Sequence, residues 1–181
     1  MNDNHNNVKH QIKKTVFELI SEMNVEKINV AMITKKCGIS RTLFYYYYED
    51  IYALLEDILS IEIENVMQEC IHIENPQDAI FHYISWWKER FFIIRKLLGT
   101  KYYEPAEILI RNIHQKYIRQ VFDTKVDIPM KAKDINFMME FMAAGLTTFF
   151  FIHCNDVKFD EKEASKQILS LIARCTGMEQ I

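Results

Sequence analysis

Apolar residues recur along this chain at helical rather than strand spacing. Val8, Ile12, Val16, Leu19, Ile20 and Met23 form one stripe, with Lys9, Lys13, Lys14 and Glu22 on the opposite side, which predicts a helix over residues 8–23. The polar start, residues 1–7, reads as a frayed tail and has no signal-peptide pattern. Residues 24–28 read as a linker. Asn29 is placed to cap a second helix over 30–37, and Gly38 suits the left-handed position just past its end. Ser40 then caps a third helix over 41–48, and Asp50 caps a fourth of about twenty residues striped by Ile51, Leu54, Leu55, Ile58, Leu59, Val66, Met67 and Cys70.

Further breaks fall at Asn75-Pro76, at Gly99-Thr100, at Pro105, at Pro129 and near Asn155. Between them lie helices carrying Ile80, Tyr83, Ile84, Trp87 and Phe91, then Ala106, Leu109, Ile110, Ile113, Tyr117 and Val121, then a long apolar run. Asp160 caps a last helix that Gly177 ends. Tyr45 to Tyr48 have strand propensity, but the cap and the flanking helical pattern override it. The fold class expected is all-α with about nine helices. Residues 1–50 form a helix-turn-helix head and residues 51–181 a helical ligand-binding and dimerisation body.

Composition supports a globular helical protein: 49% hydrophobic, 13% aromatic, and only 4 Gly and 3 Pro in 181 residues. The formal net charge is −3. Residues 1–55 hold seven Lys/Arg against six Asp/Glu, so any attraction to DNA must come from local placement rather than a strong overall field. The four cysteines, at 37, 70, 154 and 175, are too scattered for a zinc site or a disulfide framework. The apolar run from Phe137 to Cys154 approaches a membrane span in length, but Glu140 interrupts it, and a buried helix is the better reading.

A DNA-reading helix-turn-helix needs a tight turn, a buried contact between its helices, and a second helix that offers one face to base edges. Ile33 and Ile39 can pack between the helices, and Phe44 and Tyr48, four apart, turn inward. Arg41, Thr42 and Tyr45 then face out, flanked by Tyr46 and Tyr47. Arginine can bond bidentately to guanine, threonine can meet a base edge or a thymine methyl, and tyrosine hydroxyls can hold phosphates.

These residues resemble the TetR family of transcriptional regulators. Cys37-Gly38-Ile39-Ser40 matches the family's turn, Phe44-Tyr45-Tyr46-Tyr47-Tyr48 its aromatic block, and Leu54-Leu55 the opening of its fourth helix. By that resemblance Arg41, Thr42 and Tyr45 read bases or nearby backbone and Tyr45 and Tyr47 hold phosphates. Asn29 lies near the backbone, while Lys35 and Lys36 lie on the second helix. The family often starts its fourth helix with a lysine that holds a phosphate. Here Ile51 stands there, after Glu49 and Asp50. An Asp-Ile-Tyr variant at this point resembles a Firmicutes-type subgroup near regulators of dihydroxyacetone kinase genes, which implies a protein partner for part of that subgroup.

The body is dense in aromatics and methionine. Adjacent pairs such as Trp86-Trp87 cannot both face one core stripe. A pocket for a small apolar or aromatic effector is therefore expected between the helix of Trp86-Trp87 and that of Phe137 to Phe151, with Tyr83, Trp86, Trp87, Phe91, Tyr103, Met138 and Met142 as candidate lining. For any single one of these, an ordinary helical core is the simpler account. Ala143-Ala144-Gly145 allows close helix approach. The last two helices are thus the expected homodimer interface, with Ala143, Ala144, Phe150, Ile168, Leu171 and Ile172 as candidates. The resemblance implies a four-helix interface, and a two-fold dimer would set its recognition helices about 35 Å apart.

The expected function is a ligand-responsive, cytoplasmic DNA-binding regulator, a repressor that sits on a two-fold double-stranded operator as a homodimer. The alternative is a co-regulator of the same fold that acts through a protein partner. No catalytic motif, metal-ligand spacing or cofactor loop is found, and neither an enzyme nor a membrane protein is expected.

Overall fold

The stripes become eight α-helices and one 3-10 turn in the computed structural model, which describes residues 2–125 and 132–176. In order they are α1 (Asn2–Glu22), the 3-10 turn (Val25–Lys27), α2 (Val30–Cys37), α3 (Arg41–Tyr47), α4 (Ile51–His72), α5 (Pro76–Leu97), α6 (Tyr103–Lys125), α7 (Ala132–His153) and α8 (Glu161–Thr176). Among the described residues there is no strand. The aromatic block at 44–47 is helical, so the Ser40 cap and the packing of Phe44 outweigh its strand propensity.

The capping residues act as their sequence positions suggest. The side chains of Asn29, Ser40 and Asp50 accept from the backbone N–H groups of Met32, Leu43 and Ala53 at 3.1, 3.1 and 2.8 Å. Asn75 accepts from Gln77 and Asp78, and Asp160 from Lys162 and Glu163. Gly38 takes φ +68, and the N–H groups of Gly38 and Ile39 return to Lys35 and Thr34.

Two boundaries differ from expectation. The first helix runs back to Asn2 instead of leaving residues 2–7 as a tail, because a helix nucleated on a buried stripe gains one bond per residue as it extends. Pro105 does not interrupt the chain. It lies in the first turn of α6, where its missing N–H has no helical acceptor to lose. Pro129 and Gly177, expected at helix boundaries, lie outside the described residues.

The first three helices, α1, α2 and α3, wrap Ile12, Val16, Ile20, Ile33, Cys37 and Phe44. The remaining five pack α6 along α7, α5 against α8, and α4 against both α5 and α6. One apolar core runs from Ile12 of α1 to Ala164 of α8. The α1–α3 head is therefore seated on the helices that follow it rather than hung from a linker. Asp57 of α4 pins that seat: it accepts from the Tyr48 hydroxyl at 2.8 Å and pairs with Lys13 at 3.0 Å. Burial alone would raise its pKa. The Tyr48 hydrogen bond, Lys13 and Lys9 overcome that and hold the carboxyl below its usual range.

Candidate nucleic-acid interface

The α2–turn–α3 unit is locked from behind. Ile33, Phe44 and Tyr48 are buried, Gln11 of α1 donates to the Cys37 carbonyl at 2.9 Å, and the Cys37 thiol meets Thr15 Oγ1 at 3.1 Å. Burial pushes that thiol above its ordinary pKa, so Cys37 is a packing residue rather than a reactive one. With one face of α3 anchored, its geometry turns the other outward. Arg41 and Thr42 are exposed, as are Tyr45 at 56% and Tyr46 at 69%; Tyr47 is half-buried and meets Tyr46 edge-on. Tyr45 is steadied by an edge contact to Phe44.

Arg41 forms no ion pair with a described residue, so its guanidinium is available to a ligand. The two lysines of α2 part company. Lys35 is exposed, whereas Lys36 pairs with Glu18 and Glu22 of α1 at 3.2 and 3.1 Å. The structure thus brings Arg41, Thr42, Tyr45 and Tyr46 onto one open face, with Tyr47 at its side. Arg41 and Tyr45 border a groove of about 720 Å³ that is also lined by Asn29, Val30, Ala31, Glu49, Asp50, Ile51, Tyr52, Lys101 and Tyr102. The last two belong to the α5–α6 connection. No local pattern signals their presence, because Lys101 lies 64 positions beyond Cys37, the end of α2.

The seven residues expected to line an effector pocket are not gathered around one space. Tyr83, Trp87 and Phe91 lie in a filled aromatic core, where Trp87 stacks on Phe150 at 4.9 Å between ring centroids. Trp86 lies half-buried under the Arg90 guanidinium, Tyr103 meets Phe151 edge-on, and Met138 and Met142 belong to a separate cluster with Met139. Helix-by-helix periodicity cannot foresee this, because facing partners are chosen across helices. A narrow apolar cavity of about 20 Å³, on the scale of a single water, lies between α1, α4, α5 and α6 beside Phe17, Leu55 and Leu109.

His114 is the polar centre of the body, a structural histidine whose partners lie on two other helices. It is fully buried between Tyr83 and Thr147. The Thr147 hydroxyl donates to the Ala143 carbonyl at 2.8 Å, so its oxygen must accept from His114 Nδ1–H at 2.7 Å. Burial depresses the His114 pKa to about 3, so the ring is neutral and Nε2 accepts from the Tyr83 hydroxyl. This one directed chain of hydrogen bonds ties α5, α6 and α7.

Two expected interface residues also lie inside the chain. Ala143 and Phe150 are buried, and Ala144, Ile168 and Ile172 are half-buried; only Leu171 of that set is largely exposed. The outer face of α7 carries instead Phe137 at 71%, Phe141 at 69% and Ile152 at 67% exposure, in line with exposed Gly145 and Thr148. By length and composition, α7 is the one described helix apolar enough to cross a membrane. Among the described residues, no group of His, Cys, Asp or Glu is arranged to hold a metal ion.

No protein-family model matches the chain, and no curated relative matches it in sequence. Solved structures match it over nearly its whole length. The dihydroxyacetone kinase operon activator DhaS is 17% identical with a TM-score of 0.71, over 94% of this chain and 97% of that one. The TetR-family repressor AlkX of Dietzia sp., implicated in biodegradation of n-alkanes, is 11% identical at a TM-score of 0.60, over 93% and 97%. The regulator FadR of Bacillus subtilis, solved with stearoyl-CoA, is 15% identical at 0.56, over 90% and 96%. The fold is therefore that of TetR-family regulators.

Proposed function

We propose that this chain is a ligand-responsive transcriptional regulator that binds a two-fold DNA operator as a homodimer. The observation that carries this reading is the split of α3 into an anchored face, Phe44 and Tyr48, and an open face, Arg41, Thr42, Tyr45 and Tyr46. A seven-residue helix held this firmly has its rotation fixed. Its outer side chains can then meet base edges and phosphates without first being ordered. Residues 1–50 serve as the reading head and residues 51–181 as the body, which senses and dimerises. Repression follows in its simplest form: a dimer on the operator occludes it. An effector favouring one spacing of the heads then lowers operator affinity by its differential affinity for the two states. Such a protein acts in the cytoplasm and needs no catalytic group.

The homodimer reading rests on the outer face of α7. Phe137, Phe141 and Ile152 form an apolar strip along α7 that favours cover from water, and Leu171 of α8 is exposed as well. Exposed Gly145 lets a second copy of α7 approach closely. The small cavity beside Phe17 and Leu109 would have to open for an apolar effector to enter, and its place against α1 would couple that opening to the head.

A second reading has its own support: a co-regulator acting through a protein partner. Glu49, Asp50 and Ile51 leave the start of α4 without a cation of its own, and DhaS is named an operon activator. A gel-shift screen of genomic fragments, with affinity capture of bound proteins, separates the two. Salt-sensitive duplex binding supports the first reading. A stoichiometric protein partner with no duplex bound supports the second.

A further inference from the structure

We propose that the body itself reaches into the DNA contact: Lys101, in the α5–α6 turn, takes a backbone phosphate at the edge of the groove that holds Arg41 and Tyr45. The inference rests on the DNA-binding reading above and extends it from the head to the body.

The turn is built to hold one position. Gly99 takes φ +74, a conformation that disfavours other residues. The Thr100 hydroxyl donates to the Leu97 carbonyl at 2.7 Å and accepts from the Tyr102 N–H at 3.2 Å. The Lys101 N–H donates to Glu26 Oε1 at 3.3 Å, which docks the turn onto the 3-10 turn of the head. Tyr102 packs against the main core. The backbone of Lys101 is thus set relative to α2 and α3.

Its side chain is exposed, and it forms no ion pair with a described residue. The ammonium lies 5.1 Å from the centre of the Tyr102 ring, a contact that orients it and leaves its three N–H donors unspent. Charge balance gives this lysine a purpose. The groove is lined by two acids, Glu49 and Asp50, and by two cations, Arg41 and Lys101. Asp50 is partly offset because it caps the positive end of α4. Without Lys101 the lining carries one cation against two acids, and a phosphate passing from α3 toward α2 would be repelled. With Lys101 it meets a cation on each side. Lys36 cannot serve, since Glu18 and Glu22 hold it on the flank of α1.

The test is duplex binding by fluorescence anisotropy across a salt series, using the parent protein, Lys101→Ala, Lys101→Arg, and Lys158→Ala as a charge-matched control in the α7–α8 connection. Thermal unfolding of each variant is run alongside. Each phosphate contact contributes about 0.9 to the slope of log affinity against log salt, so a two-headed dimer of Lys101→Ala should lose about 1.8. Its low-salt affinity should drop several-fold for all sequences alike. Lys101→Arg and Lys158→Ala should keep the parent slope. A Lys101→Ala slope equal to that of Lys158→Ala, in a protein that binds duplex, overturns this inference alone. If the parent protein binds no duplex at low salt, the DNA-binding reading fails and this inference fails with it.

Discussion

Arg41 and Tyr45 are exposed, as the proposed DNA contact requires, while Phe44 between them is buried. Truncation should separate these roles. Arg41→Ala is expected to weaken operator binding by about 1–3 kcal/mol, roughly five- to 150-fold, with the melting temperature unchanged. Phe44→Ala should instead cost about 3–5 kcal/mol of stability, because it empties a fully enclosed site. Equilibrium denaturation beside anisotropy binding distinguishes the two. His114 gives a pH signature of its own. Its ordinary pKa of 6.5 falls to about 3 in the fold, so the unfolded chain binds the proton more readily. Its contribution is therefore complete above pH 6.5 and is lost as pH falls toward 3, by up to about 1.4 kcal/mol per pH unit. Denaturant titrations from pH 7 to 4 should show this loss. His114→Gln should be less stable at neutral pH but have a shallower acid limb.

Among the elements, the α2–α3 turn depends on Gly38. An added Cβ there would meet nothing within 4 Å, so Gly38→Ala tests backbone conformation alone. It should cost about 1–2 kcal/mol, measured by chemical denaturation, since alanine resists a φ of +68. The Asp57 pin tests the seat of the head. Asp57→Ala should speed hydrogen exchange of amides in α1 and α3 while those of α7 keep their rates, because it leaves Lys13 and Tyr48 without their acceptor. This head could be read in the sequence because local chemistry specifies it: Asn29, Ser40 and Asp50 declare helix starts and Gly38 an end. The body could not be read as well. In α7, apolar residues occupy every side, so the sequence could not say that Phe150 faces inward and Phe141 outward. The Tyr83–His114–Thr147 chain joins three helices whose register no local pattern encodes. Lys101 reaches the groove only because Glu26 and the core place its turn there.

At the scale of the whole molecule, the exposed strip of α7 is the strongest sign that one chain is not the working unit. Phe137→Asp combined with Phe141→Asp should turn a dimer into a folded monomer by sedimentation velocity, with helical content kept, since both side chains point away from the core. Losing the second head should also remove the preference for two half-sites spaced by about one helical turn. The central claim, that the open face of α3 reads DNA, is tested most directly by titrating the purified protein against genomic duplex fragments from about 50 to 200 mM salt. The expected result is saturable binding to a preferred fragment that weakens steeply with salt and is lost in Arg41→Ala and Tyr45→Ala variants that remain folded. Absence of binding to any duplex at the lowest salt, by a folded dimer, would contradict the account.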